Sequence, residues 1–221
     1  MRIHKRRHIS RQKYTILFRS FLSDIPASKA AAIASVNRKT ADSYYNLFRD
    51  ALIKDALAQR RKVFMESGVE IDESYFGPRR VRGKRGRGAS HKTIVFGLLK
   101  RGGKVYTQIV KKAERKQLVP IIRKIVRSGS DIYSDGWKSY DALAVYGYNH
   151  KRVKHSENEF AKYDGTHING VESYWSWTKR RLSKFNGVPS GHFRRYMVES
   201  EWRFNHREEL EENLRRVLKM L

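Results

Sequence analysis

The stretch Val69-Glu70-Ile71-Asp72-Glu73-Ser74-Tyr75-Phe76 marks a change of period in the chain. Before it, from Tyr14 to about Lys62, Ala, Leu and Ile recur at three- and four-residue spacing, as on an amphipathic helix. From Gly68 the period falls to two, the pattern of a strand whose alternate side chains face opposite ways. Two apolar runs follow, 93–99 and 105–110, joined by Lys100-Arg101-Gly102-Gly103-Lys104, whose glycines suit a hairpin turn. Beyond them the spacing predicts a helix over 115–127 with Pro120 inside it, and a strand at Asp131-Ile132-Tyr133-Ser134. A helix over 138–146, a strand over 151–155 and about sixty largely helical residues, broken at Asn186-Gly187-Val188-Pro189, complete the chain. The order is a three-stranded meander, then helix, strand, helix, strand, helix. Such an order closes into a mixed sheet with helices on its faces.

The segment ahead of the sheet has its own rhythm. Residues 27–40 read as helix, tight turn, helix, and the second helix continues through Tyr44, Tyr45, Phe48 and Leu52. This is a helix-turn-helix pattern, whose second helix would enter the major groove of DNA with Arg38, Lys39, Thr40 and Ser43 facing the bases. The turn has Ser35 where such motifs often carry glycine. The competing reading is a plain helical hairpin whose alanine face packs on the rest of the protein. The expected domains are a basic arm over 1–13, the helix-turn-helix over 14–64, a catalytic domain over 65–207 and a C-terminal helix over 208–221.

Charge narrows the function. The 221 residues hold 48 Lys+Arg against 22 Asp+Glu, a formal net charge of +26 distributed along the whole length. Such a field draws in a polyanion by counterion release and steering, so DNA or RNA is the expected partner. No apolar run reaches the length of a membrane span, which argues against a membrane. The absence of cysteine removes disulfides and thiolate zinc sites and fits a cytoplasmic protein. A glycine-rich basic stretch with Arg79, Arg80, Arg82, Lys84, Arg85 and Arg87 cannot build a core and would follow a DNA backbone.

Against this background three acids stand out: Asp72 and Asp135 at or near the ends of strand-like runs, and Glu172 within HINGVESYWSWTKRR. Phosphodiester chemistry needs charge neutralised on both the attacking and the leaving oxygen. Two divalent ions about 3.5–4 Å apart do this, and Mg²⁺ or Mn²⁺ are held by two or three converging carboxylates. In the order above, the strand of Asp72 lies beside that of Asp135. On the helix from about His167 to Phe185, a buried stripe runs through Ile168, Val171, Trp175, Thr178, Leu182 and Phe185. Asn169, Glu172, Ser176 and Lys179 form the neighbouring stripe, which places an acid and a cation on one face. Glu73 points away from Asp72, His167 reads as packing at the start of the helix, and the tryptophans read as core, Trp177 lying off the stripe.

Asp72 in IDESYFG, Asp135 in YSDGWKSY, and HINGVESYWSWTKRRLSKFNG resemble the catalytic motifs of DDE-type insertion-sequence transposases, most closely the ISXO-like group. The resemblance covers roughly 65–207. It implies an α/β fold, an integrase-like ribonuclease H-like mixed sheet flanked by helices and preceded by a small all-α helix-turn-helix domain. It implies Asp72, Asp135 and Glu172 as ligands of two Mg²⁺ or Mn²⁺ ions, with Asn169 sharing or taking the third position. Lys179, together with Arg180, would hold DNA near the cut. It further implies a bacterial, nucleoid-associated protein that nicks element ends and transfers the 3′-hydroxyl to target DNA as a homodimer or higher oligomer. The alternatives are a ribonuclease H-like nuclease or resolvase that cuts without joining, and a DNA-binding protein whose catalytic domain has decayed. Many such relatives carry paired N-terminal cysteines for zinc, and this chain has none.

Overall fold

The computed structural model describes residues 9–60, 65–66, 68–77, 92–135, 143–153 and 167–219, which fall into two compact units divided at 61/62 and 197/198. The six basic residues of the glycine-rich stretch, from Arg79 to Arg87, lie outside the described residues.

The first unit is all-helical: α1 (Arg11–Leu22), α2 (Ala27–Ile33) and α3 (Arg38–Arg60). α1 takes in Arg11–Lys13, which the sequence assigned to the basic arm, because the Ser10 hydroxyl caps it by accepting from the Lys13 N–H at 3.3 Å. Between α2 and α3 the chain turns at Ser35, whose φ of +47° is the left-handed region that glycine enters most easily. Ser35 donates its N–H to the Ala32 carbonyl, Val36 donates to Ala31, and the Asn37 side chain caps α3 through the Lys39 N–H at 2.8 Å. The core interleaves Phe18 and Phe21 of α1 with Tyr45, Phe48 and Leu52 of α3. Val198, Trp202, Leu214, Val217 and Leu218, from the far end of the chain, complete it.

The second unit is built on a five-stranded sheet of order β3-β2-β1-β4-β5. β1 (Val69–Phe76), β2 (Thr93–Lys100) and β3 (Val105–Val110) form the antiparallel meander, while β4 (Asp131–Asp135) runs parallel to β1 and β5 (Asn149–Val153) parallel to β4. This is the ribonuclease H-like order. One face packs Val69, Ile71, Phe96, Leu98 and Ile132 against Leu118, Ile122 and Ile125 of α4 (Arg115–Ile125). Pro120 sits inside α4 on its exposed side, where the carbonyl that loses its N–H partner can turn to water. The helix expected over 138–146 lies mostly outside the described residues, and its end is a single 3-10 turn at Ala144–Tyr146. α5 (Asn169–Ser183) packs on the other face of the sheet, Phe193 of α6 (Ser190–Asn205) meets the Phe76 ring, and α7 (Leu210–Lys219) returns to the helical core. Among the described residues no helix is long and apolar enough to cross a membrane.

Candidate active site

Alternation along β1 separates its side chains. Val69 and Ile71 enter the α4 core, whereas Glu70, Asp72 and Phe76 face α5, with the Phe76 ring 6.0 Å from that of Trp175. β1 and β4 pair in parallel through Val69↔Ile132 and Glu70↔Tyr133. The ladder ends there, and by alternation Asp72 and Asp135, two residues further along each strand, project from the same face. α5 presents Val171, Tyr174, Trp175 and Thr178 inward and leaves Asn169, Glu172, Ser176 and Lys179 exposed, as the helical period predicts. Phe185 is only half-buried.

Close approach of α5 depends on a missing side chain. Gly97 pairs with Asp72 across the β1–β2 ladder, and a Cβ there would stand 2.5 Å from Cζ2 of Trp175. The benzo edge of the indole therefore sits against the strand at the level of Asp72. A lone glycine within the apolar run TIVFGLLK was the available signal for this approach.

Asp72 feels the other two acids. Burial pushes the Asp72 carboxyl up to about 7, and the negative charges of Asp135 and Glu172 add to the effect. The Glu73 backbone N–H and the Trp175 indole pull the other way, although the indole N–H is buried without a hydrogen bond of ordinary geometry. Among the described residues, no three His, Cys, Asp or Glu side chains stand at a spacing that could hold a metal ion. The donors themselves suit a hard divalent cation. They are oxygen-only, and the negative charge that Asp135 and Glu172 set against Asp72 is what a cation there would relieve.

A second carboxylate on β1, absent from the sequence expectations, holds the frame. Glu70 is 1% exposed. Its Oε2 accepts the Val171 N–H at 2.9 Å, in the first turn of α5, and its Oε1 accepts Arg101 Nε at 3.0 Å. Arg101, from the β2–β3 turn, also donates to the His167 carbonyl at 2.5 Å and lies 3.5 Å over the Tyr133 ring. His167 Nδ1 is 3.5 Å from Glu70 Oε1, so this histidine belongs to the helix start, as expected. A Cβ on Gly170 would fall 2.8 Å from Glu70 Oε2, so glycine there keeps the cap open.

The expected basic residues are distributed. Lys179 holds its ammonium 5.8 Å from the Phe76 ring, at the end of β1, and Arg180 donates to Ser176 Oγ at 2.7 Å. Arg38 and Lys39 are exposed and Thr40 and Ser43 half-buried at the start of α3, in the helical unit, with Arg38 Nε 3.7 Å from Asp42. On the α4 side of the sheet, Arg115, Lys116, Arg123 and Lys124 surround an open cleft of about 700 Å³ floored by Val119 and Tyr146. In sequence these four look like an ordinary solvated helix face.

Residues 65–205 match the family described as the ISXO2-like transposase domain. An uncharacterized transposase-like protein of Haemophilus influenzae is 45% identical over 105 residues, which are 48% of this chain and 84% of that protein. An uncharacterized protein in the transposable element ISH50 of Halobacterium salinarum is 31% identical over 149 residues, covering 60% of this chain and half of that protein. Among solved structures, the Mos1 strand transfer complex aligns with 100% of this chain and 81% of that chain at 13% identity and a TM-score of 0.31. The catalytic domain of the Mos1 mariner transposase aligns with 78% of this chain and 91% of that chain at 15% identity and a TM-score of 0.29. Superpositions this loose bear on no individual residue.

Proposed function

The chain belongs to the ISXO2-like transposase family, and from that premise we propose that it nicks DNA at the ends of an insertion sequence and joins the freed 3′-hydroxyl to target DNA. One observation carries this reading. Asp72 and Asp135 share a face of adjacent parallel strands, with Glu172 near enough to help raise the Asp72 carboxyl. Drawn closer together than they stand here, Asp72, Asp135 and Glu172 would hold two Mg²⁺ or Mn²⁺ ions, with the Asn169 amide oxygen as an alternative to Glu172. Bound there, such ions supply Lewis acidity and charge neutralisation at the scissile phosphate.

The protein's own groups do the rest. Lys179, on the Glu172 face of α5, pairs with a non-bridging phosphate oxygen and fixes the strand against the acids. Asp72 is half-buried, with Trp175 seated at its level to shield it in part from bulk water. In the first step water adds to phosphorus, the P–O3′ bond breaks and the 3′-oxygen leaves protonated. In the second that hydroxyl attacks a target phosphate and displaces the target's own 3′-oxygen. In-line displacement needs no covalent enzyme intermediate.

DNA ends would be read by Arg38, Lys39, Thr40 and Ser43 of the helix-turn-helix, within the 14–64 segment. Arg180, the arginine-rich stretch from Arg79 to Arg87 and the α4 cleft would add phosphate contacts. Two ends must react together, so a dimer or larger assembly on DNA follows, in the cytoplasm beside the nucleoid. The test is a strand-transfer assay with labelled end DNA. Asp72→Asn and Asp135→Asn should each lower metal-dependent cleavage about a thousandfold, about 4 kcal/mol of transition-state stabilisation, with DNA binding retained. Hydrolysis without joined product would instead identify a nuclease, and no nicking by the wild-type protein in Mg²⁺ or Mn²⁺ a DNA-binding protein.

A further inference from the structure

We propose that Glu70 and Arg101 are positioning residues that set the three acid-bearing elements in register, an inference resting on the reading of Asp72, Asp135 and Glu172 as the active site. The pair touches each of those elements within two residues of its acid. Glu70 itself stands two residues before Asp72 on β1. Arg101 stacks on Tyr133, two residues before Asp135 on β4. Val171, whose N–H Glu70 accepts, directly precedes Glu172 on α5. Arg101 closes the loop by donating to the carbonyl of His167, just ahead of the helix.

Stability alone does not account for the pair. A carboxylate 1% exposed is costly to bury, and well-packed apolar residues of similar volume do as well or better in such places. What leucine cannot do is point. Each residue of a helix advances it by about 1.5 Å and turns it by about 100°, so an apolar contact between α5 and the sheet tolerates small slides and rotations. A carboxylate that must accept one particular N–H in the first helical turn does not, and the partial positive charge there strengthens the bond. Catalytic groups need placement to about 0.5 Å, and a misplacement of about 1 Å can cost a hundredfold in rate. Gly170 and Gly97 fit the same purpose: a Cβ on either would force α5 off the sheet, against Glu70 Oε2 at 2.8 Å in one case and Trp175 at 2.5 Å in the other.

The experiment separates holding the fold from aiming the site. Glu70→Leu combined with Arg101→Met replaces the pair by apolar volume. This protein should melt within a few degrees of wild type and bind end DNA equally well. Its single-turnover cleavage at saturating DNA should fall about a hundredfold, and its affinity for Mn²⁺ alone, read by electron paramagnetic resonance, should fall at least about tenfold. A double variant with wild-type cleavage and wild-type Mn²⁺ affinity overturns the proposal. Should the double variant not fold, Glu70→Gln decides. It keeps an acceptor for Val171 but not the charge for Arg101, and should lose about tenfold in rate and in Mn²⁺ affinity; unchanged values overturn the proposal. If the wild-type protein cleaves nothing, the transposase reading fails, and the Mn²⁺ affinities still decide whether the pair positions the acids.

Discussion

Two buried carboxylate–arginine clusters, one in each unit, each tie down the end of a helix. In the sheet unit Glu70 receives the first turn of α5. In the helical unit Arg203 donates to the carbonyls of Phe21 and Leu22, the last residues of α1, at 2.7 and 3.2 Å. Glu199 holds Arg203 at 3.0 Å and Arg49 of α3 at 2.7 Å. The polarity matches the helix dipole in both cases, with an anion at the start of a helix and a cation at the end of one. They differ in access to water. Arg49 and Arg203 have side chains 9% and 4% exposed, whereas Arg101 is 26% exposed. A guanidinium released from Glu70 can reach solvent, and those released from Glu199 cannot. The same chemistry therefore serves stability in one unit and leaves room for aiming a site in the other.

The largest expected effect follows from that contrast. Glu199→Gln should destabilise the protein by about 3–5 kcal/mol, because the anion shared by two buried guanidiniums is lost, with Asp24 at 3.9 Å left to Arg203. Glu70→Gln should cost less, about 1–3 kcal/mol, because only one partly hydrated cation is released. Urea unfolding of both variants measures the difference, and a reversed order would break the comparison. Next in size is Gly97→Ala. Its Cβ would meet the Trp175 ring at 2.5 and 2.9 Å, and the ring is 4% exposed, so there is nowhere for it to move without carrying α5 along. Overpacking of this kind costs about 1–3 kcal/mol. Cleavage should drop with it, and a variant of wild-type stability and rate would show that α5 does not seat on Gly97.

Much of this was legible in the chain. β1 and β3 have the bounds that alternation predicts, and the strand order was enough to bring Asp72 and Asp135 to adjacent strands. Both depend on patterns a few residues long. Glu70 escaped notice because one acid in an alternating strand looks the same whether it meets water or a helix start 101 residues away. The C-terminal stretch likewise reads only as helical, and a helical pattern says nothing of which surface covers Leu214, Val217 and Leu218. Here the cover is α1 and α3, from the other end of the chain. Ser35 shows the opposite case. The position where glycine was expected does adopt the left-handed conformation, and serine accepts the strain.

Asp55 gives the smallest effect and sharpens the comparison, because it is a carboxylate of the helical unit with an intermediate environment. Its side chain is 13% exposed, and Oδ2 accepts from Trp202 Nε1 at 2.9 Å and Gln59 Nε2 at 2.6 Å, with Arg216 at 3.3 Å. Burial pushes its carboxyl up, but the hydrogen bonds from Trp202 and Arg216 outweigh burial and hold it below the usual range. A carboxyl lowered in the folded state stabilises the protein above its unfolded value of about 3.9. That contribution is lost as pH falls through the lower, folded value. Asp55→Asn should therefore cost about 1–2 kcal/mol at pH 7, and the gap to wild type should begin to close below about pH 4. Urea unfolding at pH 7 and in progressively stronger acid measures it. A gap that stays constant into strong acid would mean that Asp55 acts through the shape of its hydrogen bonds alone, and that charge matters in this unit only where, as at Glu199, no water can reach it.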